Sequence, residues 1–301
     1  MKKHIKKFSA LLLTLSLFLL ITAGCSKTPA SPAGQNSAPE TPKKVLLVVS
    51  FGTSYNDNRD LSIGGVEKAL QKAYPDYELR RAFTSQIIID ILAERDKLEI
   101  DNVTEAMDRL VADGVKEVLI QPTHVMSGFE YDDVIAEVTP YQDKFESFKI
   151  GKTLLLTDSD YDAAIAAIAE ETKTYQAAGT AIVFMGHGTE HAANDTYTKL
   201  QERVTAAGLA NYFIGTVEAE PGLEEVMTLV KASGAKKVAL LPFMIVAGDH
   251  ANNDMAGDEE DSWKSAFTAE GYEVETVLKG LGQYKGIQEL IVKHAGEAMA
   301  K

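Results

Sequence analysis

Cysteine is almost absent from this chain, because Cys25 is the single cysteine in 301 residues. One cysteine excludes an intrachain disulfide and a multi-thiolate metal site, so any metal has to be held by nitrogen and oxygen ligands. Positive charge is also scarce, since 30 basic side chains face 44 acidic ones and the formal net charge is −14. This balance argues against nucleic-acid binding and against electrostatic binding to anionic membranes, and it favours the attraction of cations.

Several catalytic signatures are missing as well. The sequence has no HExxH helix, no GxSxG elbow, no Walker loop and no GxGxxG that opens a helix. Zinc peptidases, serine hydrolases and nucleotide-dependent enzymes therefore lose support, and no nucleotide cofactor is expected.

The amino terminus has the pattern of a targeting segment. Four lysines precede an apolar run at residues 8–21, and small residues lead to Cys25. We predict that residues 1–24 are a lipoprotein signal peptide and that Cys25 becomes lipidated, which would anchor an exported protein on the extracytoplasmic side of the membrane. An ordinary secretory signal and an uncleaved membrane anchor are the alternatives. Removal of the four lysines would change the formal charge from −14 to −18.

The rest of the chain reads as an α/β protein. Residues 25–43 are rich in Ser, Pro, Ala and Thr and are predicted to be a disordered tether. From Lys44 onward, short apolar runs alternate with amphipathic segments, which is typical of βαβ units and parallel sheets. A strand is predicted at Ile150–Leu156, with Asp158 or Ser159 as the cap of the following helix.

The two halves of this region resemble each other, which indicates an internal duplication with one α/β lobe at residues 44–157 and another at 158–301. The paired positions are Gly52 with Gly188, Phe51 with His187, Pro122 with Pro242, Glu130 with His250 and, more weakly, Phe83 with Glu218. Because the first lobe has Phe51 and Phe83 where the second has His187 and Glu218, a purely structural role for this histidine and this glutamate loses support.

Three side chains with metal-binding chemistry each follow a predicted strand of the second lobe. They are His187, Glu218 and His250. Carboxyl ends of parallel strands meet at one edge of a sheet, so these side chains could share a site there. Two imidazoles and a carboxylate could hold a divalent metal ion, or His187 could act as a general base assisted by Glu218. His191 is expected to be a solvent-facing loop residue.

Long segments of the sequence resemble the anaerobic cobalt chelatases of the CbiK type. They are KKVLLVVSFGTSY at 43–55, RAFTS at 81–85, IQPTHVMSGFEY at 120–131, VFMGHG at 183–188, VE at 217–218 and LPFMIVAGDHANNDMAGDEEDSWK at 241–264. The resemblance implies two similar lobes, each with a parallel sheet flanked by helices, and a tetrapyrrole cleft between them. It also implies ATP-independent insertion of Co²⁺ into sirohydrochlorin, or its oxidised form factor II, in cobalamin biosynthesis.

The resemblance assigns the metal to His187, Glu218 and His250, with His187 also as proton acceptor. Side chains expected to contact the macrocycle are Phe51, Thr53, Ser54, His124 and Met185, with ordinary packing as the alternative. Arg80 or Arg81 could bind its carboxylates. Fe²⁺ and Ni²⁺ suit the same ligands as Co²⁺, and whether the protein is a homo-oligomer stays open. Because family members act in cytoplasmic biosynthesis, an exported chain could instead be a lipid-anchored protein that binds a metal or tetrapyrrole for uptake without turnover.

Overall fold

The computed structural model of the protein describes residues 43–300. The predicted signal peptide and Cys25 lie outside the described residues, as does the predicted tether up to residue 42. The strands are β1 (Lys44–Ser50), β2 (Glu78–Phe83), β3 (Glu117–Pro122), β4 (Ser147–Ile150), β5 (Thr180–Gly186), β6 (Tyr212–Thr216), β7 (Lys237–Pro242) and β8 (Glu273–Thr276). The α-helices are α1 (Asn56–Asn58), α2 (Gly64–Ala73), α3 (Gln86–Asp96), α4 (Val103–Ala112), α5 (Phe129–Val138), α6 (Asp158–Glu171), α7 (Asp195–Ala206), α8 (Leu223–Ser233), α9 (Trp263–Ala269) and α10 (Lys285–Met299). Within this range, none of the helices combines the length and apolar character needed to cross a bilayer.

The strands form two parallel sheets with the same topology. The first has the order β2-β1-β3-β4 and the second the order β6-β5-β7-β8. Every strand pair in both sheets is parallel. Parallel pairing requires a crossover between consecutive strands, and the intervening helices supply it. The predicted α/β fold with two similar lobes is therefore confirmed.

The strand registers identify equivalent positions in the two sheets. Val49 pairs with Pro122 in the first sheet, and Met185 pairs with Pro242 in the second. This register makes Phe51 the counterpart of His187, as the sequence predicts. Gly52 and Gly188 both have positive φ, at 101° and 86°, which a residue with a Cβ atom rarely adopts.

The predicted pairing of Glu218 with Phe83 is wrong by two residues. Phe83 pairs with Ser50 and Thr216 pairs with Gly186, so Phe83 is equivalent to Thr216. Beyond the strands, the amide of Ser85 bonds to the carbonyl of Phe51 in the same way that the amide of Glu218 bonds to the carbonyl of His187. Ser85 is therefore the counterpart of Glu218. The weak sequence match missed it because short strands carry little register information.

Each sheet buries its two faces in different cores. Leu46 and Val48 of β1, together with Ile182 and Phe184 of β5, belong to one core shared by both lobes. The alternate residues of each strand face separate outer cores, because successive side chains of a strand point to opposite faces. Helix α10 also joins the lobes, since it packs against α2 and α6 and against β3 and β4 of the first sheet.

The fourth strand lies earlier in the chain than predicted. It covers Ser147–Ile150, where the last register pair joins Ile150 to Ile120, and the amide of Gly151 still donates to the carbonyl of Ile120. The apolar residues Leu154 and Leu155 are buried, but they form a loop whose amides bond to the carbonyls of His124 and Val125. Helix α6 likewise begins after Thr157, which forms a capping box with Asp160, and not after Asp158 or Ser159.

Candidate metal centre

The candidate metal ligands follow β5, β6 and β7 at the carboxyl edge of the second sheet. The amide of Glu218 bonds to the carbonyl of His187 at 2.9 Å, so parallel pairing continues past the strand ends and sets these residues side by side. At Gly188 a Cβ atom would lie 2.8 Å from the amide nitrogen of Ala219. Only glycine therefore permits the chain to turn directly after His187 while it stays against the neighbouring segment.

The structure brings His187, Glu218 and His250 together. One ligand atom from each residue lies within 4.8 Å of the other two. Nδ1 of His187 is 3.4 Å from Oε2 of Glu218, and Nε2 of His250 is 3.7 Å from Oε1 of the same carboxylate. The two imidazole rings meet edge to face with 4.7 Å between their centroids. Metal–nitrogen bonds of about 2.1 Å put neighbouring ligand atoms about 3.0–3.4 Å apart, so the three side chains would have to move closer together to bind one ion.

Each histidine of this group has a hydrogen bond that orients its ring. Nδ1 of His187 is 2.9 Å from the carbonyl oxygen of Gly188, and Nδ1 of His250 is 2.8 Å from a carboxylate oxygen of Asp254. The sequence reasoning missed Asp254. Its signal was an acidic residue four positions after a histidine, a spacing that puts two side chains on one face of a helical turn.

The three side chains line a cavity between the two lobes, which we call the interlobe cavity. It has a volume of about 570 Å³, and its apolar lining includes Phe51, Ile88, Val125, Met126, Phe129, Met244, Ile245 and Val246. Its carboxylates come from Glu130, Glu190, Glu218 and Asp249. Within residues 43–300, no lysine or arginine lines it. The cavity thus combines apolar surface for a flat organic molecule with negative charge that attracts a cation.

Most of the side chains expected to contact a macrocycle line the interlobe cavity. Phe51 is 46% exposed there, and Thr53, Ser54 and His124 are also part of the lining. Met185 is not, because it is completely buried in the outer core of the second lobe with Ala181 and Val183. The prediction of a substrate contact at Met185 is therefore wrong, and strand alternation is the physical reason.

Neither arginine suggested for the substrate carboxylates lies at the cavity. Both are in β2 and have carboxylate partners elsewhere. Nη1 of Arg80 is 2.6 Å from Asp113, and Arg81 makes two hydrogen bonds to Glu67. Those suggestions are therefore wrong.

The remaining histidines near the cavity have distinct environments. Both ring nitrogens of His124 are buried and lack a hydrogen-bond partner among the described residues, and burial lowers the pKa of this imidazole to about 4. His191 is not the solvent-facing loop residue that was expected. Its Nδ1 accepts from the amide of Ala193, its Nε2 lies 3.5 Å from Asp132 of the first lobe, and its ring packs on Phe129.

Comparisons with known proteins show what the whole chain is similar to. The profile of the cobalt chelatase (CbiK) family matches residues 44–300. The sirohydrochlorin cobaltochelatase of Salmonella typhimurium is 38% identical over 257 residues, which make up 85% of this chain and 97% of that protein. The sirohydrochlorin cobaltochelatase CbiKC of Nitratidesulfovibrio vulgaris is 31% identical over 260 residues, which make up 86% of this chain and 91% of that protein.

A solved structure shares the fold. The sirohydrochlorin chelatase SirB from Bacillus subtilis subspecies spizizenii, in complex with cobalt, matches with a TM-score of 0.58 at 13% identity, over 85% of this chain and 95% of that one. At this identity the likeness concerns the fold alone. Because the family profile spans residues 44–300 and a relative at 38% identity is covered almost end to end, this chain belongs to the CbiK family of cobalt chelatases.

Proposed function

We propose that this protein inserts Co²⁺ into sirohydrochlorin without ATP, a step in cobalamin biosynthesis. The observation that carries the proposal is the convergence of two imidazoles and one carboxylate on the wall of the interlobe cavity. The family membership and the names of the relatives support the same reaction.

The proposed metal ligands suit a reaction in which the ion has to leave. His187, Glu218 and His250 are 45%, 51% and 32% exposed at the side chain, so a bound ion keeps coordination positions for water or for pyrrole nitrogens. Imidazole and carboxylate ligands bind Co²⁺ but exchange more readily than thiolates, which prefer softer ions. The site therefore holds the ion in the cavity and releases it to the macrocycle.

Insertion exchanges one Co²⁺ for two pyrrole N–H protons, so a proton acceptor is needed near the ion. We assign this role to His187, with Nε2 as the atom that accepts. Nδ1 donates to the carbonyl of Gly188, which leaves the lone pair on Nε2. When the ion has moved to the macrocycle nitrogens, this lone pair takes one of the two protons and the carboxylate of Glu218, freed at the same time, takes the other before both pass to solvent.

Conversion of sirohydrochlorin by the purified protein tests the proposal. We expect the absorption spectrum to change to that of the cobalt complex after Co²⁺ is added, faster than in protein-free solution. His187→Ala should lower the rate by at least about a hundredfold, since a positioned base contributes that much or more. The matched control is His191→Ala, which removes an imidazole that supplies no ligand atom to the group.

Two results would contradict the proposal. Binding of metal or tetrapyrrole without any conversion would favour the alternative of a binding protein for uptake. An unchanged rate for His187→Ala would leave the reaction in place but overturn the assignment of the site. Replacing Co²⁺ by Fe²⁺ or Ni²⁺ in the same assay measures metal selectivity, which we propose is set by availability because the ligands suit all three ions.

We also propose that the protein is exported and anchored by lipid at Cys25. The support is the basic, apolar and small-residue pattern of residues 1–25. Labelled fatty acid should be incorporated into the protein in cells and recovered in the membrane fraction, and Cys25→Ser should abolish both. Incorporation that persists in Cys25→Ser would contradict the assignment.

A further inference from the structure

Asp254 holds the imidazole of His250 from the side that faces away from Glu218. Nδ1 of His250 is 2.8 Å from Oδ2 of Asp254, whereas Nε2 is 3.7 Å from Oε1 of Glu218. We propose that Asp254 is a positioning residue for metal binding, which fixes the tautomer and the orientation of His250. This inference rests on the proposed function, because it takes His250 to be a ligand of the substrate metal.

The tautomer follows from the chemistry of the two groups. A carboxylate can only accept hydrogen bonds, so the nitrogen that faces Asp254 carries the proton. Nδ1 of His250 is then the donor, and the lone pair lies on Nε2, the atom directed at the group formed with Glu218 and His187. A carboxylate behind a metal-binding imidazole also increases the electron density on the opposite nitrogen, which strengthens the metal bond.

The backbone that carries Asp254 is held firmly. The segment Ala251–Met255 is a π-helical turn, in which the amide of Ala256 bonds to the carbonyl of Ala251 five residues earlier. Ala251 and Met255 are completely buried in the outer core of the second lobe. The side chain of Asn252 bonds to the carbonyl of Gly248 at 2.7 Å and closes the loop before the turn. A rigid support of this kind is what a precise ligand geometry requires.

Among residues 43–300, no such carboxylate lies behind the ring of His187. Its Nδ1 faces the neutral carbonyl of Gly188, and the nearby carboxylate of Glu218 belongs to the metal group itself. Asp254 therefore acts on one of the two histidines only, so its removal is expected to weaken metal binding through His250 and to leave His187 in place.

Co²⁺ titration of the full-length protein tests this role, with the d–d absorption bands of the bound ion as the signal. We expect Asp254→Ala to weaken Co²⁺ binding about 10- to 100-fold and to change the band positions, as loss of such a partner does in other metal sites. Asp254→Asn should lose less Co²⁺ affinity than Asp254→Ala, because the amide oxygen of Asn can still accept a hydrogen bond from Nδ1 of His250. In the steady state, KM for Co²⁺ should rise while KM for sirohydrochlorin stays the same. Glu260→Gln is the matched control, since it removes an exposed carboxylate outside the cavity lining.

A double-mutant comparison separates positioning from direct ligation. If Asp254 acts through His250, Asp254→Ala should have no further effect on Co²⁺ binding in the His250→Ala protein. A further loss in that background would show that Asp254 binds the metal itself and would overturn the inference. Wild-type Co²⁺ affinity in Asp254→Ala, with weak binding in His250→Ala, would overturn the inference and leave the proposed function intact. Absence of Co²⁺ binding by the wild-type protein would overturn both.

The folded state of these variants can be checked separately. Asp254 is 45% exposed at its side chain, so its replacement should leave the thermal unfolding midpoint of the metal-free protein close to that of the wild type. A change in Co²⁺ affinity at an unchanged midpoint therefore reports the site and not the stability of the fold.

Discussion

His124 shows how a single residue of the cavity couples folding to pH. Its two ring nitrogens are buried without a hydrogen-bond partner within residues 43–300, and burial lowers its pKa from 6.5 to about 4. Between these pH values the unfolded chain binds a proton that the folded protein does not bind. The free energy of unfolding therefore decreases as the pH falls through this window, and it is fully restored above it.

We expect His124→Phe to remove this dependence. The wild type should lose up to about 3 kcal/mol of unfolding free energy between pH 6.5 and pH 4 through His124 alone, and the variant should lose that much less. Denaturant unfolding of both proteins across this range measures the difference. His294, whose pKa is also lowered by burial, is present in both proteins and cancels. Parallel pH profiles would contradict the prediction.

At the residue scale, the sequence identifies side chains by their place after strands and fails where a contact depends on tertiary packing. His187, Glu218 and His250 could be grouped because strand ends converge at a sheet edge. Asp254 was missed because its role depends on which way a helical turn faces. Met185 was wrongly placed in the cavity because the sequence of an apolar strand does not show which of its two faces is directed toward the cavity.

At the element scale, burial and strand formation were difficult to separate. Leu154 and Leu155 are apolar and buried like strand residues, yet they lie in a loop that contacts the segment after β3. The register pairs of β4 with β3 end at Ile150, before these two leucines, and the local pattern of apolar residues does not show this. The parallel direction of the strands was predictable, because it follows from the local alternation of strands and helices, whereas their order in each sheet was not predicted.

Two π-helical turns at Arg59–Ile63 and Ala251–Met255 were not predictable from sequence periodicity. One extra residue in a turn changes which side chains share a face, and no residue type specifies such a turn reliably. The second of these turns carries Asp254. Treating this segment as an α-helix would therefore correctly place Asp254 beside His250 but would give the wrong backbone conformation for the turn.

At the scale of the whole molecule, charge should decide how the two substrates bind. The interlobe cavity has four carboxylates and, in the part of the chain that the structure describes, no lysine or arginine, and the net charge of the chain is −14. Co²⁺ is attracted by this field, whereas sirohydrochlorin, a polycarboxylate, is repelled. Salt weakens both effects, since the Debye length falls from about 30 Å at 0.01 M to about 8 Å at 0.15 M.

We therefore expect opposite salt dependences for the two substrates. Between low and physiological ionic strength, KM for sirohydrochlorin should decrease and KM for Co²⁺ should increase, measured with an inert monovalent salt. Glu190→Gln removes one carboxylate of the cavity and should reduce both changes. A KM for sirohydrochlorin that rises with salt would indicate cationic groups at the binding site and contradict the prediction.

The duplication was also predictable in outline, since glycines and prolines recur at equivalent positions in both halves. The core shared by both lobes and the packing of α10 against the first sheet were not predictable, because the apolar pattern of a helix does not show which element the helix packs against. The predicted pairings were correct where a glycine or proline recurs in both halves. At Glu218 no such residue recurs nearby, and the predicted pairing was wrong by two residues.

The two lobes are equivalent in backbone but contribute different side chains to the two sides of the interlobe cavity. Phe51 and Ser85 occupy in the first lobe the positions that His187 and Glu218 occupy in the second. Glu130, which the sequence pairs with His250, lines the same cavity as Phe51. One backbone arrangement is thus present twice, but only one copy has the nitrogen ligands for an ion. A macrocycle held between the lobes would therefore receive the metal from the side of the second lobe. The first lobe would contact the opposite face of the macrocycle and would supply no nitrogen ligand from the equivalent positions.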